Sequence, residues 1–198
     1  MLILVRHGES TGNADRLLMG RIDAPLTEQG LAQARALAPW VAGASRVISS
    51  PLSRARATAE ALATGLPIEI DDRWVEVDYG EYDGRPLGSV PSEVWTRWRS
   101  DPDFRPPGGE TLAETSARVR GACDELFATE GDGARGQGPV VVVSHVSPIK
   151  AATCWALGLG DQGAWRLYLA TASMTQIGWG GDGPVLNRYN ETPWADPD

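Results

Sequence analysis

The sequence predicts an α/β fold built around a mostly parallel sheet. Met1 to Val5 is a continuous apolar run and Pro139 to Ser144 contains four consecutive valines, as expected of strands buried on both faces of such a sheet. Segments with helical spacing of apolar residues alternate with these and other short β segments. That alternation is the βαβ rhythm of a parallel sheet.

The first half of the chain supplies three predicted strands and two predicted helices. Met1 to Val5 is the first strand. Thr27 suits an N-cap, and apolar residues recur at helical spacing from Leu31 as far as Gly43, which predicts the first crossover helix. A strand over Arg46 to Ser49, an alanine-rich helix over Leu52 to Ala63 and a strand over Ile68 to Ile70 follow.

The second half begins with an irregular segment, residues 71–109, which we interpret as an insertion over one face of the sheet, cap-like around 85–109. Within it Trp95 and Trp98 lie on one side of a short helix that begins near Ser92. The longest helix is predicted from Glu110 to Phe127. A glycine-rich loop over 131–138 leads to the valine-rich strand, and a helix from Pro148 to Leu157 follows it. The chain ends with late strands over 173–179 and 185–189 and a loose tail over 192–198.

Composition limits the classes of protein that this chain can belong to. At 198 residues it suits one core, so we predict a single domain over 1–198. No apolar run approaches the roughly 20 residues that span a bilayer, and we expect a cytoplasmic protein. Cys123 and Cys154 have neither the number nor the spacing of a disulfide framework. The formal net charge of −8 argues against nucleic acid or an anionic membrane as a partner.

Unusual polar residues follow three of the predicted strands. Arg6 and His7 come after the first strand, Arg54 lies just beyond the second, and His145 directly follows the valine-rich strand. Because the carboxyl ends of parallel strands meet at one edge of a sheet, where ligands bind, we expect these four side chains to converge.

This combination of side chains predicts phosphate chemistry. Guanidinium groups pair with phosphate oxygens and stay charged, so Arg6 and Arg54 indicate a site for a dianion. A neutral imidazole can attack phosphorus, and the neighbouring cations should lower the pKa of His7. Its other ring nitrogen then needs an acceptor, for which we predict a backbone carbonyl of the Gly8 turn. Two histidines alone are a poor set of metal ligands, so we expect no metal and no cofactor.

The residues Leu4 to Asn13, LVRHGESTGN, resemble the signature of the histidine phosphatase superfamily, also called the phosphoglycerate mutase-like family. Five further segments resemble blocks of that family in the family's order. They are GRIDAPLTEQG (Gly20 to Gly30), SPLSRARATA (Ser50 to Ala59), VEVDYGEYDG (Val75 to Gly84), PGGET (Pro107 to Thr111) and VVVSHVSPIKA (Val141 to Ala151). The resemblance covers most of residues 1–157 and implies a three-layer α/β/α sandwich and a metal-independent reaction through phosphohistidine.

The resemblance also implies roles for single residues. His7 becomes the nucleophile, while Arg6, Arg54 and His145 bind the phosphoryl group. Glu76 protonates the leaving oxygen, a role that calls for a buried carboxyl group. Asp78 and Glu81 are the rival acids for that role. For substrate binding we add Asn13, Gly20 and Val146, which stands where many relatives have glycine.

The first hypothesis is therefore a metal-independent phosphomonoesterase that acts on a small phosphorylated metabolite. A phosphoglycerate mutase and a non-catalytic phospholigand-binding domain are the alternatives. Met19, which supplies no hydroxyl group, counts mildly against the mutase. Sequence leaves open the identity of the phosphomonoester, the formation of a homodimer and the role of the tryptophans, which can stack on substrate or pack as core.

Overall fold

A six-stranded sheet forms the centre of the computed structural model, which describes residues 1–131 and 138–194. The strands are β1 (Leu2–Arg6), β2 (Arg46–Ser49), β3 (Ile68–Ile70), β4 (Val140–Ser144), β5 (Met174–Gly180) and β6 (Gly183–Glu191). They lie in the order β3-β2-β4-β1-β5-β6. Strands β1 to β4 are mutually parallel, whereas β5 runs antiparallel to β1 and pairs with β6 as a hairpin. The mostly parallel sheet is confirmed.

The helices described are α1 (Thr11–Ala14), α2 (Glu28–Ala36), α3 (Ser53–Ala61), α4 (Ser92–Ser100), α5 (Leu112–Gly131) and α6 (Val146–Ala156). Alternate residues of the central strands point to opposite faces. Leu2 and Leu4 of β1 pack towards α5 and α6, while Ile3 and Val5 pack towards α3 and the residues that follow α2. Two apolar cores therefore lie on either side of one sheet, and the three-layer sandwich is confirmed.

Several helix boundaries differ from the prediction. The helix that begins after Thr27 ends at Ala36, and a short 3-10 helix over Ala38–Val41 replaces its last turn, because Pro39 has no N–H to continue the α-helical pattern. Helix α6 begins at Val146, two residues before Pro148, so the proline occupies the third helical position. Its missing donor still falls in the first turn, where N–H groups have no intrahelical partner.

The segment between β3 and α5 is irregular, as predicted, and contains α4 together with short 3-10 turns. Trp98 is buried with Leu18, Val90 and Phe104 in a third, smaller apolar cluster, so this tryptophan is a packing residue. Trp95 lies at the margin of that cluster. The predicted glycine-rich loop falls largely on residues 132–137 and the end of the tail on 195–198, outside the described residues.

Candidate active site

Both histidines of the chain lie at the same edge of the sheet. His7 directly follows β1 and His145 directly follows β4, and these strands are paired in register so that Arg6 lies opposite Ser144. The ring centroids are 5.0 Å apart, with the planes tilted by 59°. His7 is 3% exposed and His145 is fully buried. The two imidazoles therefore converge, as their positions after paired strands predicted.

The hydrogen bonds of His7 define which nitrogen can react. Its Nδ1 lies 2.7 Å from the carbonyl oxygen of Gly8, the partner predicted from the sequence. A carbonyl oxygen only accepts, so Nδ1 carries the proton and Nε2 keeps its lone pair. Burial lowers the pKa of His7 well below its ordinary value, and the charges of Arg6 and Arg54 lower it further. His7 is therefore a neutral imidazole with Nε2 available as a nucleophile.

His145 is held from a third strand end. Its Nε2 lies 2.7 Å from the hydroxyl oxygen of Ser50, the residue directly after β2, while its Nδ1 is buried without a hydrogen-bond partner among the described residues. Burial also lowers the pKa of His145 well below its ordinary value, and the charges of Arg54 and His7 lower it further. Three adjacent strands thus supply the two facing imidazoles and their supports.

Backbone carbonyls hold the two arginines. Arg54 donates from its two terminal nitrogens to the carbonyl oxygens of Ile22, at 3.0 Å, and Gly20, at 2.7 Å. Arg6 donates to the carbonyl oxygen of Leu169 at 2.7 Å. The Nε atoms of both are buried without a partner in the part of the chain that the structure describes. Burial lowers the pKa of each guanidinium, although arginine keeps its charge at working pH.

An acidic side chain that the sequence did not single out organises the loop beneath Arg54. Asp83 accepts hydrogen bonds from the backbone N–H groups of Gly20, Arg21 and Ile22, at 2.7, 2.7 and 2.9 Å. The carbonyl oxygens of that same loop bind Arg54. Asp83 is thus a positioning residue for the guanidinium. The sequence could not reveal this role of Asp83, because its hydrogen-bond partners are main-chain N–H groups, which every non-proline residue carries.

A second support links the nucleophile to helix α3. The hydroxyl of Thr58 donates to the carbonyl oxygen of Arg54 at 2.7 Å and accepts from the N–H of Gly8 at 3.0 Å. Gly8 is also packed so tightly that a Cβ atom there would lie 2.2 Å from the carbonyl oxygen of Gly30. The turn after His7 is thereby fixed to the helix that carries Arg54.

Glu76 lies against the beginning of α6. It is 3% exposed, and its carboxylate accepts from the N–H groups of Val77, Val146 and Ser147 at 2.9 to 3.1 Å. Its rivals are placed differently. Asp78 is half-buried and forms an ion pair with Arg21, and Glu81 is exposed. Of the three acids, Glu76 is the one with the buried position that a proton donor requires. As a carboxylate, its negative charge raises the pKa of both Arg6 and Arg54.

The three residues added for substrate binding are partly engaged within the protein. The side-chain oxygen of Asn13 accepts from the backbone and hydroxyl of Ser10, which leaves its NH₂ group without a partner among the described residues. The N–H of Gly20 donates to Asp83, and the N–H of Val146 donates to Glu76. Their contacts with substrate stay predictions. Within residues 1–131 and 138–194, no group of three or more His, Cys, Asp or Glu side chains is arranged to hold a metal.

The fold and this arrangement of side chains define a class of protein. The chain belongs to the histidine phosphatase superfamily, since the model of branch 1 of that superfamily matches residues 2–192. The membership that the six motifs implied is therefore confirmed.

Two relatives match most of this chain. The chain is 36% identical over 190 residues to the bifunctional protein Rv2228c of Mycobacterium tuberculosis, a match that covers 92% of this chain and 51% of that protein. It thus spans about half the length of that relative. It is 34% identical over 200 residues to a Cronobacter sakazakii protein named "Probable phosphoglycerate mutase GpmB", covering 96% of this chain and 86% of that protein.

A solved structure is similar over nearly the whole chain. It is the mycobacterial glucosyl-3-phosphoglycerate phosphatase Rv2419c in complex with VO3, with a TM-score of 0.86 and 31% sequence identity. The similarity covers 96% of this chain and 98% of that one.

Proposed function

We propose that this protein is a phosphate-monoester hydrolase that acts on a small phosphorylated metabolite through a phosphohistidine on His7. One observation carries the proposal. The buried imidazole of His7 presents an unprotonated Nε2 beside two guanidinium groups that have no ion-pair partner among the described residues. A phosphate dianion provides the charge that such a site lacks, and its phosphorus is what the imidazole attacks.

The first half of the reaction transfers the phosphoryl group to the enzyme. The lone pair on Nε2 of His7 forms the P–N bond while the ester P–O bond breaks in line with it. Glu76 enters this step as the neutral carboxylic acid and gives its proton to the departing oxygen, so the product leaves as an alcohol and Glu76 is left as a carboxylate. The phosphorylated ring carries a proton on Nδ1, which donates it in a hydrogen bond to the carbonyl oxygen of Gly8, 2.7 Å from Nδ1. Arg6 and Arg54 stabilise the negative charge on the phosphoryl oxygens in the transition state of the transfer.

The second half returns the enzyme to its starting state. Water attacks phosphorus, the P–N bond breaks, and its electron pair returns to Nε2 of His7. Glu76, now a carboxylate, takes the proton that the attacking water loses. Inorganic phosphate then leaves. No step needs a metal or a cofactor.

We infer a phosphorylated small molecule as the substrate, which is the kind of compound that the name of the mycobacterial phosphatase states for that protein. With a net charge of −8 the protein has no general attraction for nucleic acid. In the described part of the chain no helix combines the length and apolar character needed to cross a bilayer. A cytoplasmic location and a homodimer stay predictions.

The test is the phosphorylated intermediate itself. Replacement of His7 by alanine should abolish hydrolysis of p-nitrophenyl phosphate and abolish the acid-labile phosphoenzyme that the wild-type protein forms during turnover. Wild-type activity should persist in the presence of a chelator. Turnover by the His7→Ala variant, or a wild-type enzyme that forms no labelled intermediate, would refute the mechanism.

A phosphoglycerate mutase is the second candidate, because the Cronobacter sakazakii relative bears that name. A mutase returns the phosphoryl group to the bound product instead of passing it to water. Incubation with 3-phosphoglycerate separates the two functions. A phosphatase releases free phosphate, whereas formation of an isomeric phosphoglycerate without free phosphate would replace the proposed function.

A further inference from the structure

A small pocket adjoins the candidate active site on the side of Glu76. Val146 and Ser147 line it, and the backbone N–H groups of these same two residues bind the carboxylate of Glu76. In the proposed reaction Glu76 protonates the departing oxygen. The part of the substrate beyond that oxygen therefore extends towards this pocket.

The walls of the pocket are aromatic. Tyr79, Trp95 and Trp165 line it, and the rings of Trp95 and Trp165 meet edge to face at 6.4 Å. The cavity has a volume of about 80 Å³, far below the range of roughly 300–1,000 Å³ for sites that bury drug-sized ligands. It suits a short carbon chain with a small end group better than a sugar ring or a nucleoside.

The lining of the pocket includes a cation without a partner among the described residues. Lys150, the single lysine of the sequence, lies one helical turn beyond Val146 on α6, so both side chains project to the same side of the helix. The Lys150 side chain is half-buried and makes no hydrogen bond or ion pair within residues 1–131 and 138–194. Burial lowers its pKa, the charge of Glu76 raises it by less, and the charge of Arg6 lowers it by a smaller amount again, which places Lys150 within electrostatic range of the reaction centre.

We infer that Lys150 binds a carboxylate on the leaving group, and that the preferred substrates are small phosphomonoesters with a carboxylate a few bonds beyond the ester oxygen. The inference rests on the proposed function. A second phosphate fits less well, because this protein offers its phosphate site two planar guanidinium groups and offers this pocket one compact ammonium. One carboxylate matches that single charge, and the aromatic walls contact the carbon atoms between the two anionic ends.

A matched pair of substrates isolates the contact. 3-Phosphoglycerate and glycerol 3-phosphate differ in that a carboxylate in the first replaces a hydroxymethyl group in the second. Wild-type kcat/KM should be higher for 3-phosphoglycerate. The Lys150→Met variant keeps the length of the side chain without its charge, and we expect it to lose roughly 10- to 100-fold in kcat/KM for 3-phosphoglycerate. Its kcat/KM for glycerol 3-phosphate should stay within about threefold of wild type.

Two further variants complete the experiment. Lys150→Arg restores the charge and should recover most of the preference for 3-phosphoglycerate. Arg35→Met removes a positive charge from the exposed side of α2 and should leave the preference unchanged. Thermal unfolding of each variant establishes that it is folded. p-Nitrophenyl phosphate, which has no carboxylate, reports on the catalytic centre alone.

The outcomes separate the two proposals. If wild-type protein does not hydrolyse p-nitrophenyl phosphate through His7, the proposed function fails. If it does so but shows no preference for 3-phosphoglycerate, or turns over neither member of the pair, the role of Lys150 fails. Equal losses for both substrates in Lys150→Met would also overturn the inference, because they would assign to Lys150 a general effect on the site.

Discussion

Acidification should destabilise this protein through its two histidines before its carboxylates protonate. His7 and His145 are the two histidines of the sequence, both are buried, and both have a folded pKa well below 6.5. The unfolded chain binds two protons as the pH falls through 6.5, whereas the folded protein does not bind them until a lower pH. Stability from this source is therefore present above pH 6.5 and is lost progressively below it.

The magnitude follows from proton linkage. Between pH 7.5 and 5.5, each unfolded histidine with a pKa of 6.5 lowers the free energy of unfolding by at most about 1.4 kcal/mol, so the pair lowers it by at most about 2.7 kcal/mol. Urea unfolding at three pH values across this interval measures the loss. His145→Asn should retain about half of the pH dependence, and a variant that also carries His7→Asn should retain little of it. A wild-type protein whose stability does not change over this range would refute the assignment of two buried, neutral imidazoles.

Two further predictions concern Glu76, the proposed proton donor, and Asp83, which positions Arg54. Glu76→Gln should lower kcat/KM roughly 100- to 10,000-fold for an alkyl phosphate and much less for p-nitrophenyl phosphate, whose leaving oxygen needs little protonation. Equal losses with both esters would exclude Glu76 as the proton donor. Asp83→Ala removes the acceptor of three backbone N–H groups, so we expect a loss of ~2 kcal/mol in the free energy of unfolding and about 100-fold in kcat/KM through misplacement of Arg54. Glu81→Ala, an exposed acid two residues away, should change neither quantity, and wild-type activity in Asp83→Ala would contradict the positioning role.

Much of the fold could be predicted because strong local signals and tertiary packing agree. The strands Arg46 to Ser49 and Ile68 to Ile70 lie where the pattern placed them, and Thr27 caps the helix as expected by accepting from the N–H of Gly30. One of the boundaries that differ, the start of α6, depends on a distant residue. The first N–H groups of this helix are satisfied by Glu76, 70 positions earlier in the chain, and no local pattern reveals such a partner.

The residues that hold the arginines escaped prediction for a physical reason, and that reason also explains how the site binds an anion. Arg6 and Arg54 are oriented by carbonyl oxygens of Leu169, Ile22 and Gly20, groups that every residue carries whatever its side chain. A carboxylate in the same place would orient a guanidinium equally well, but it would neutralise the positive charge that binds the phosphate. A carbonyl carries only a partial charge, so it fixes the direction of the donors and leaves each arginine its full positive charge. Sequence identifies the charged groups, whereas their alignment is a property of the folded main chain.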